Sequence, residues 1–165
     1  MITKLQGVTN LHFVGDGIYR SAHPTNFGYE SLRSAQFRTL IDLCGSWEQV
    51  KRGEYMPYIS DFEYHNIPLD GMLTHIRASD LMRIVDTLIY VPKPALVHCL
   101  LGADRTGAVV AAYRIMVNHM PLQEAIAEMK DYKHQWSYLA GGVNVERQLA
   151  TISAFFSGRD GIPLA

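Results

Sequence analysis

No stretch of this sequence approaches the ~18 consecutive apolar residues that a membrane-crossing helix requires. The opening residues MITKLQGVTN also lack the apolar core of a signal peptide. Cysteine is scarce. Cys44 and Cys99 are the only two, and a single possible disulfide is no secreted framework, so a reducing, cytoplasmic setting is expected. Neither sign of charge dominates, with 15 Lys and Arg against 16 Asp and Glu. A surface built for nucleic acid or for a membrane is therefore not expected. The seven histidines show no metal-ligand spacing, so a metal site is not expected, and no cofactor is expected either. Tyr55, Tyr58 and Tyr64 read as packing residues rather than a base-stacking platform. Internal repeats, linkers and low-complexity tracts are missing as well.

What the chain does have is 48% hydrophobic residues over 165 positions, enough to bury one core, so residues 1–165 are expected to form a single domain. Leu11 to Val14 and Ile18 to Ser21 read as a hairpin around Gly15-Asp16-Gly17. Asn26 is a candidate cap for a helix carrying Phe27, Leu32 and Ala35 inward, and Thr39 to Leu43 reads as a strand. A helix is expected over Trp47 to Tyr58, then a strand over Phe62 to Leu69, with Asp70-Gly71 opening a loop. Ser79 caps a helix whose Leu81, Ile84, Val85, Leu88 and Ile89 share one face. After Pro92 come the strand Ala95 to Val97, closed by His98 and Cys99, and a helix from Arg105 that buries Val109, Ala112, Ile115 and Met116. Leu122, Ala125, Ile126 and Met129 form a further apolar face, and Gly141-Gly142 breaks the chain before a last helix from about Val145 to Phe156. Alternating strands and helices predict an α/β domain, a mostly parallel central sheet flanked by helices.

The stretch PALVHCLLGADRTG, Pro94 to Gly107, organises the rest. A strand, a short loop and a helix start follow one another, aiming backbone N–H groups and the positive end of a helix dipole at one point. That is an anion site. Leu100, Leu101, Gly102, Ala103 and Asp104 are enough chain to curl around a tetrahedral anion, and the Arg105 guanidinium can present paired donors to two phosphate oxygens. Inside such a ring the sulfur of Cys99 feels dipoles and a cation that favour the thiolate, a nucleophile able to attack phosphorus. Thr106 could donate a hydrogen bond to that sulfur when it leaves, and His98 would orient the loop from behind.

The run HCLLGADRTG resembles the signature loop of cysteine-dependent protein tyrosine phosphatases: HC, five residues, R, then S or T. With IYRSAHP and TLIDL, the sequence is similar to the compact, atypical dual-specificity branch of bacterial, plant and fungal type, over about Gly17 to Lys130. The resemblance implies a phosphocysteine intermediate, no metal, and a general acid on a separate loop that protonates the leaving oxygen and later activates water. Asp70 is the choice for that acid. Asp80 more readily serves its own helix start, Asp61 is less suited still, and Asp104 sits too near the helix start, as a structural or pKa-tuning residue of the loop. Arg20, in YRSAHP, is either an ordinary exposed arginine or a support for the loop. Cys44 reads as core.

Other chemistries fit less well. Ala108 and Val109 stand where a nucleotide P-loop needs Lys and then Ser or Thr. A sulfurtransferase also uses a loop cysteine but leaves Arg105-Thr106 and an upstream acid unexplained. A phosphate-binding module without catalysis would not need the cysteine, arginine and acid together. The loop's apolar Leu100, Leu101 and Ala103 favour phosphotyrosine, with phosphoserine and phosphothreonine reached in a shallow pocket. Inositol phosphates are the alternative: related loops that handle them carry basic residues where this one has Leu100, Leu101 and Ala103, and Arg77, Lys130, Lys133 and His134 could supply the missing charge from other loops. The expected partner is thus a phosphorylated protein or a small phosphoester.

Overall fold

The computed structural model describes residues 1–45, 57–70, 72–132 and 140–157. Five strands form one sheet: β1 (His12–Gly15), β2 (Ile18–Ala22), β3 (Thr39–Asp42), β4 (Glu63–Asn66) and β5 (Ala95–Cys99). Their order is β1-β2-β5-β3-β4. Only the β1–β2 hairpin is antiparallel; β2, β5, β3 and β4 run parallel. The hairpin turns where the sequence places it, with Asp16 and Gly17 in the left-handed region at φ 49° and 74°. The described helices are α1 (Asn26–Ser34), α2 (Ala78–Tyr90), α3 (Asp104–Met116), α4 (Leu122–Asp131) and α5 (Ala140–Ser157).

Successive strand residues face opposite sides, so the sheet separates two apolar clusters. Leu40 and Leu96 join Tyr29 and Leu32 of α1 on one side. Ile41, Val97 and Cys99 join residues of α2, α3, α4 and α5 on the other. Apart from Arg114, every residue of α3 is buried, which extends the expected burial of Val109, Ala112, Ile115 and Met116 to the whole circumference. Arg114 pairs with Glu128 of α4 at 2.9 Å and donates to the Val14 carbonyl at 2.7 Å, so even its one polar side is tied down.

Several expected details shift. Thr25, not Asn26, caps α1 by accepting from the Gly28 N–H at 3.2 Å. Phe27 is 66% exposed, because the sheet-facing row is Gly28, Tyr29 and Leu32, one position further on. Arg77 rather than Ser79 is the cap residue of α2, and the Asp80 carboxylate accepts from the Arg77 N–H at 2.9 Å, the helix-start role expected of Asp80. Ile89 lies outside the buried stripe of α2 at 41% exposure. Strand β4 is a shorter edge strand that ends before Ile67 and Pro68. Helix α3 starts one residue early, at Asp104. Helix α5 runs through Gly141-Gly142 instead of starting after them. Its early turns are held by tertiary contacts, since the buried Asn144 side chain donates to the Leu73 and Ile76 carbonyls at 2.8 and 3.1 Å. The helix expected over Trp47–Tyr58 lies, but for its last two residues, outside the described residues, as do Tyr55, Gly71, Lys133 and His134.

Candidate active site

The parallel strands β2, β3 and β5 end together, with Ala22 opposite Cys99 and Asp42 opposite His98. Cys99 closes β5 and is nearly sealed, at 2% exposure. The chain then turns through Leu100, Leu101, Gly102 and Ala103 into α3, with Gly102 in the left-handed region at φ 69°. A β-carbon on Gly102 would lie 2.4 Å from the Ala22 nitrogen, so the loop presses directly on the end of β2.

Every carbonyl of this loop is held from behind. The His23 N–H donates to Leu100 O at 3.2 Å. Asn10 Nδ2 donates to Leu101 O at 3.1 Å and Gly102 O at 3.2 Å. Arg20 Nη2 donates to Gly102 O at 2.8 Å and Ala103 O at 3.5 Å. In a planar trans peptide the N–H points opposite to the C=O. Tying back these carbonyls therefore turns the N–H groups of Leu101, Gly102, Ala103 and Asp104 to the other side, as a nest for an anion. The start of α3 adds its dipole there.

Arg105 is buried, and its Nη1 donates to the Leu43 carbonyl at 3.1 Å. The same carbonyl accepts the Leu69 N–H at 3.2 Å, so the chain segment leading to Asp70 leaves the sheet from the carbonyl that anchors Arg105. Asp70 is half-buried and folds back on its own turn. Oδ1 accepts from the Met72 N–H at 3.2 Å, and Oδ2 accepts from the Thr74 N–H, Thr74 hydroxyl and His75 N–H at 2.9, 3.0 and 3.1 Å. Burial acts to raise the carboxyl pKa, but these donors outweigh it and hold it below the usual value of 3.8. All of the hydrogen bonds that Asp70 makes among the described residues stay within this turn.

Arg20 is not a surface arginine. It is 1% exposed, its guanidinium lies 4.1 Å from the centre of the Tyr132 ring, and its Nε and Nη1 have no hydrogen-bond partner among the described residues. Burial lowers its pKa to about 10, so it remains a cation at neutral pH beneath the loop. His98 faces away from Cys99, fully buried, with its Nδ1 3.7 Å from Asp42 Oδ1, too far for a hydrogen bond. Burial lowers its pKa to about 4, so the ring is neutral and supports the loop by packing. Thr106 is fully buried and its hydroxyl makes no hydrogen bond among the described residues. Asp104 lies buried in the first turn of α3, while Leu100 and Leu101 stand at the surface with 46% and 49% exposure. The fold thus brings together the loop, Arg105, Thr106, His98 and Arg20. Asn10, Asp42 and Tyr132, which the sequence did not single out, complete the support. A cysteine and two histidines from different elements, Cys44, His23 and His98, also meet behind the loop and could hold a metal ion.

The chain is similar to known proteins in sequence and in fold. In rice (Oryza sativa subsp. japonica), inositol diphosphatase DSP2 is 28% identical over 109 residues, covering 64% of this chain and 53% of that protein. The dual specificity protein phosphatase TpbA of Pseudomonas aeruginosa is 26% identical over 153 residues, covering 92% of this chain and 63% of that protein. The chain therefore spans less than two thirds of the length of these curated relatives. Among solved structures, the Siw14 core catalytic domain of S. cerevisiae, a PP-IP phosphatase in complex with citrate, superposes with a TM-score of 0.73 at 17% identity, covering 98% of this chain and 99% of that one. TpbA in complex with phosphotyrosine gives 0.70 at 20% identity, covering 92% and 91%. At these identities the superpositions speak for the fold. The Tc-R-P family model, described as a DSP-PTPase phosphatase of polymorphic toxin systems, matches residues 14–119, and the chain belongs to that family of dual-specificity-type phosphatases.

Proposed function

We propose that the chain, as one phosphatase domain, hydrolyses phosphomonoesters through a phosphocysteine intermediate, with phosphotyrosine as substrate. The observation that carries this reading is the set of tied-back carbonyls at Leu100, Leu101, Gly102 and Ala103, which leaves a ring of N–H donors at the end of the strand that carries Cys99. In the first step the Cys99 thiolate forms the S–P bond while the P–O bond breaks. Asp70 gives its proton to the departing oxygen. Arg105 and the loop N–H groups hold the charge on the three equatorial oxygens. In the second step water attacks phosphorus, Asp70 takes a proton from it, and the sulfur leaves with a hydrogen bond from the Thr106 hydroxyl, which has no other partner among the described residues.

Two features make Asp70 demanding in this role. It must be protonated when the ester binds, whereas its turn favours the ionised form. It must also leave the Thr74 and His75 donors to reach a leaving group.

The exposed, apolar Leu100 and Leu101 suit an aromatic leaving group better than a polyanion. A second reading, an inositol diphosphate as substrate, is favoured by the name of the rice relative. Initial rates of phosphate release from a phosphotyrosine peptide, a phosphothreonine peptide and an inositol pyrophosphate, measured side by side, separate the two. The phosphotyrosine peptide should be turned over fastest, with Cys99→Ser abolishing release and Arg105→Lys lowering it by about 10²-fold. No release from any of the three by folded wild-type protein would sink the enzyme reading, and a faster inositol substrate would replace the phosphotyrosine one.

A further inference from the structure

Strand residues alternate between faces, so His98 lies on the side of the sheet opposite the sulfur of Cys99. There it meets His23, which follows β2, and Cys44, which follows β3. The ligand atoms of these three side chains all lie within 4.8 Å of one another. We propose that His23, Cys44 and His98 form a zinc-binding site behind the phosphate loop, separate from the catalytic cysteine.

The donor set fits that ion. One thiolate and two imidazoles are the ligands zinc takes in three-ligand sites, with a fourth position left to water. Tetrahedral coordination sets ligand atoms about 3.5 Å apart, so modest side-chain rotation closes the present spacing. The outer shell is already arranged. His23 Nδ1 lies 2.9 Å from the Pro24 carbonyl, which can only accept, so Nδ1 carries a proton and Nε2 is the nitrogen that would bind the ion. Asp42 Oδ1 stands 3.7 Å from His98 Nδ1, positioned to orient a metal-bound imidazole, and Asp42 is itself fixed by the Tyr64 hydroxyl at 2.7 Å and the Cys44 N–H at 2.9 Å.

His98 is an independent pointer to a ligand. It is fully buried, and neither ring nitrogen has a hydrogen-bond partner among the described residues. A buried imidazole left in this state is costly, and a metal bond satisfies one nitrogen while drawing the other toward Asp42. His23 is only half-buried and gives the ion a way in. None of this depends on the catalytic reading.

Cobalt(II), a spectroscopic substitute for zinc, tests the site in the full chain under reducing conditions. One equivalent should bind, giving a thiolate-to-cobalt charge-transfer band in the near ultraviolet that zinc displaces. Cys44→Ser should abolish the band, His23→Gln should weaken binding at least about tenfold, and Cys99→Ser should keep both band and affinity. Because Cys44 is buried and its replacement can disturb the core, the half-buried His23 supplies the second variant, with circular dichroism confirming its fold. Absence of one-equivalent binding in the wild type, a band that disappears with Cys99→Ser, or wild-type affinity in a folded His23→Gln would overturn the proposal.

Discussion

Asp70 carries opposing demands within one side chain. Its four hydrogen bonds favour the carboxylate, while the proposed donation of a proton to a leaving oxygen requires the acid. With its pKa held below 3.8, the protonated fraction falls about tenfold with each pH unit above that pKa. Turnover of substrates with poor leaving groups should therefore fall as pH rises. Thr74→Val removes the hydroxyl donor at 3.0 Å and leaves the backbone donors in place. The ionised form loses a partner, the pKa rises, and the falling limb of the kcat–pH profile for a phosphopeptide should move to higher pH. A limb that stays put or moves down would remove Asp70 from the role of acid. Of the residues involved, Cys99, Arg105 and Thr106 could be proposed from sequence because their offsets fall within one short loop. Asn10 and Tyr132 were not, since a lone asparagine far upstream and a lone tyrosine acquire meaning only when folding sets them against Leu101 and Arg20.

At the level of elements, the loop after Cys99 depends on the end of β2. Gly102 holds a left-handed conformation, and its missing β-carbon is the space that the backbone of Ser21 and Ala22 occupies. Gly102→Ala should cost about 1–3 kcal/mol for the backbone conformation, with further cost from the contact. Because relief requires moving the loop off β2, turnover should fall by about 10²-fold even where the protein stays folded. A thermal melt together with initial rates checks this; unchanged kinetics in the alanine variant would mean that the loop is not held as described. Elements with one clear period were legible: the stripe Leu81, Ile84, Val85 and Leu88 gives α2, and Asp16-Gly17 gives the hairpin. Local signals failed where distant contacts decide. The Gly141-Gly142 pair reads as a break, yet Asn144 and Gln148 bind the segment from Leu73 to Ala78 and α5 continues through the glycines. Phe27 reads as core because it is apolar, but the close approach of Gly28 to Gly7 fixes the face of α1 that turns inward.

For the whole molecule, the parallel strands deliver Cys99, His98 and the loop to one end of the sheet, and α3 passes through the apolar side as a fully packed support. Among the described residues no helix is long and apolar enough to cross a membrane. The parallel sheet was readable from the alternation of strands and helices, whereas the meeting of His23, Cys44 and His98 was not, because sheet pairing rather than sequence spacing brings them together. In the proposed reaction this architecture turns Cys99 into a nucleophile toward phosphorus. Acid quenching of the wild-type protein during turnover of a phosphotyrosine peptide, followed by mass spectrometry of its peptides, should find a phosphoryl group on Cys99 that is absent from Cys99→Ser; phosphate release with no label on Cys99, or with the label on another residue, would contradict that role.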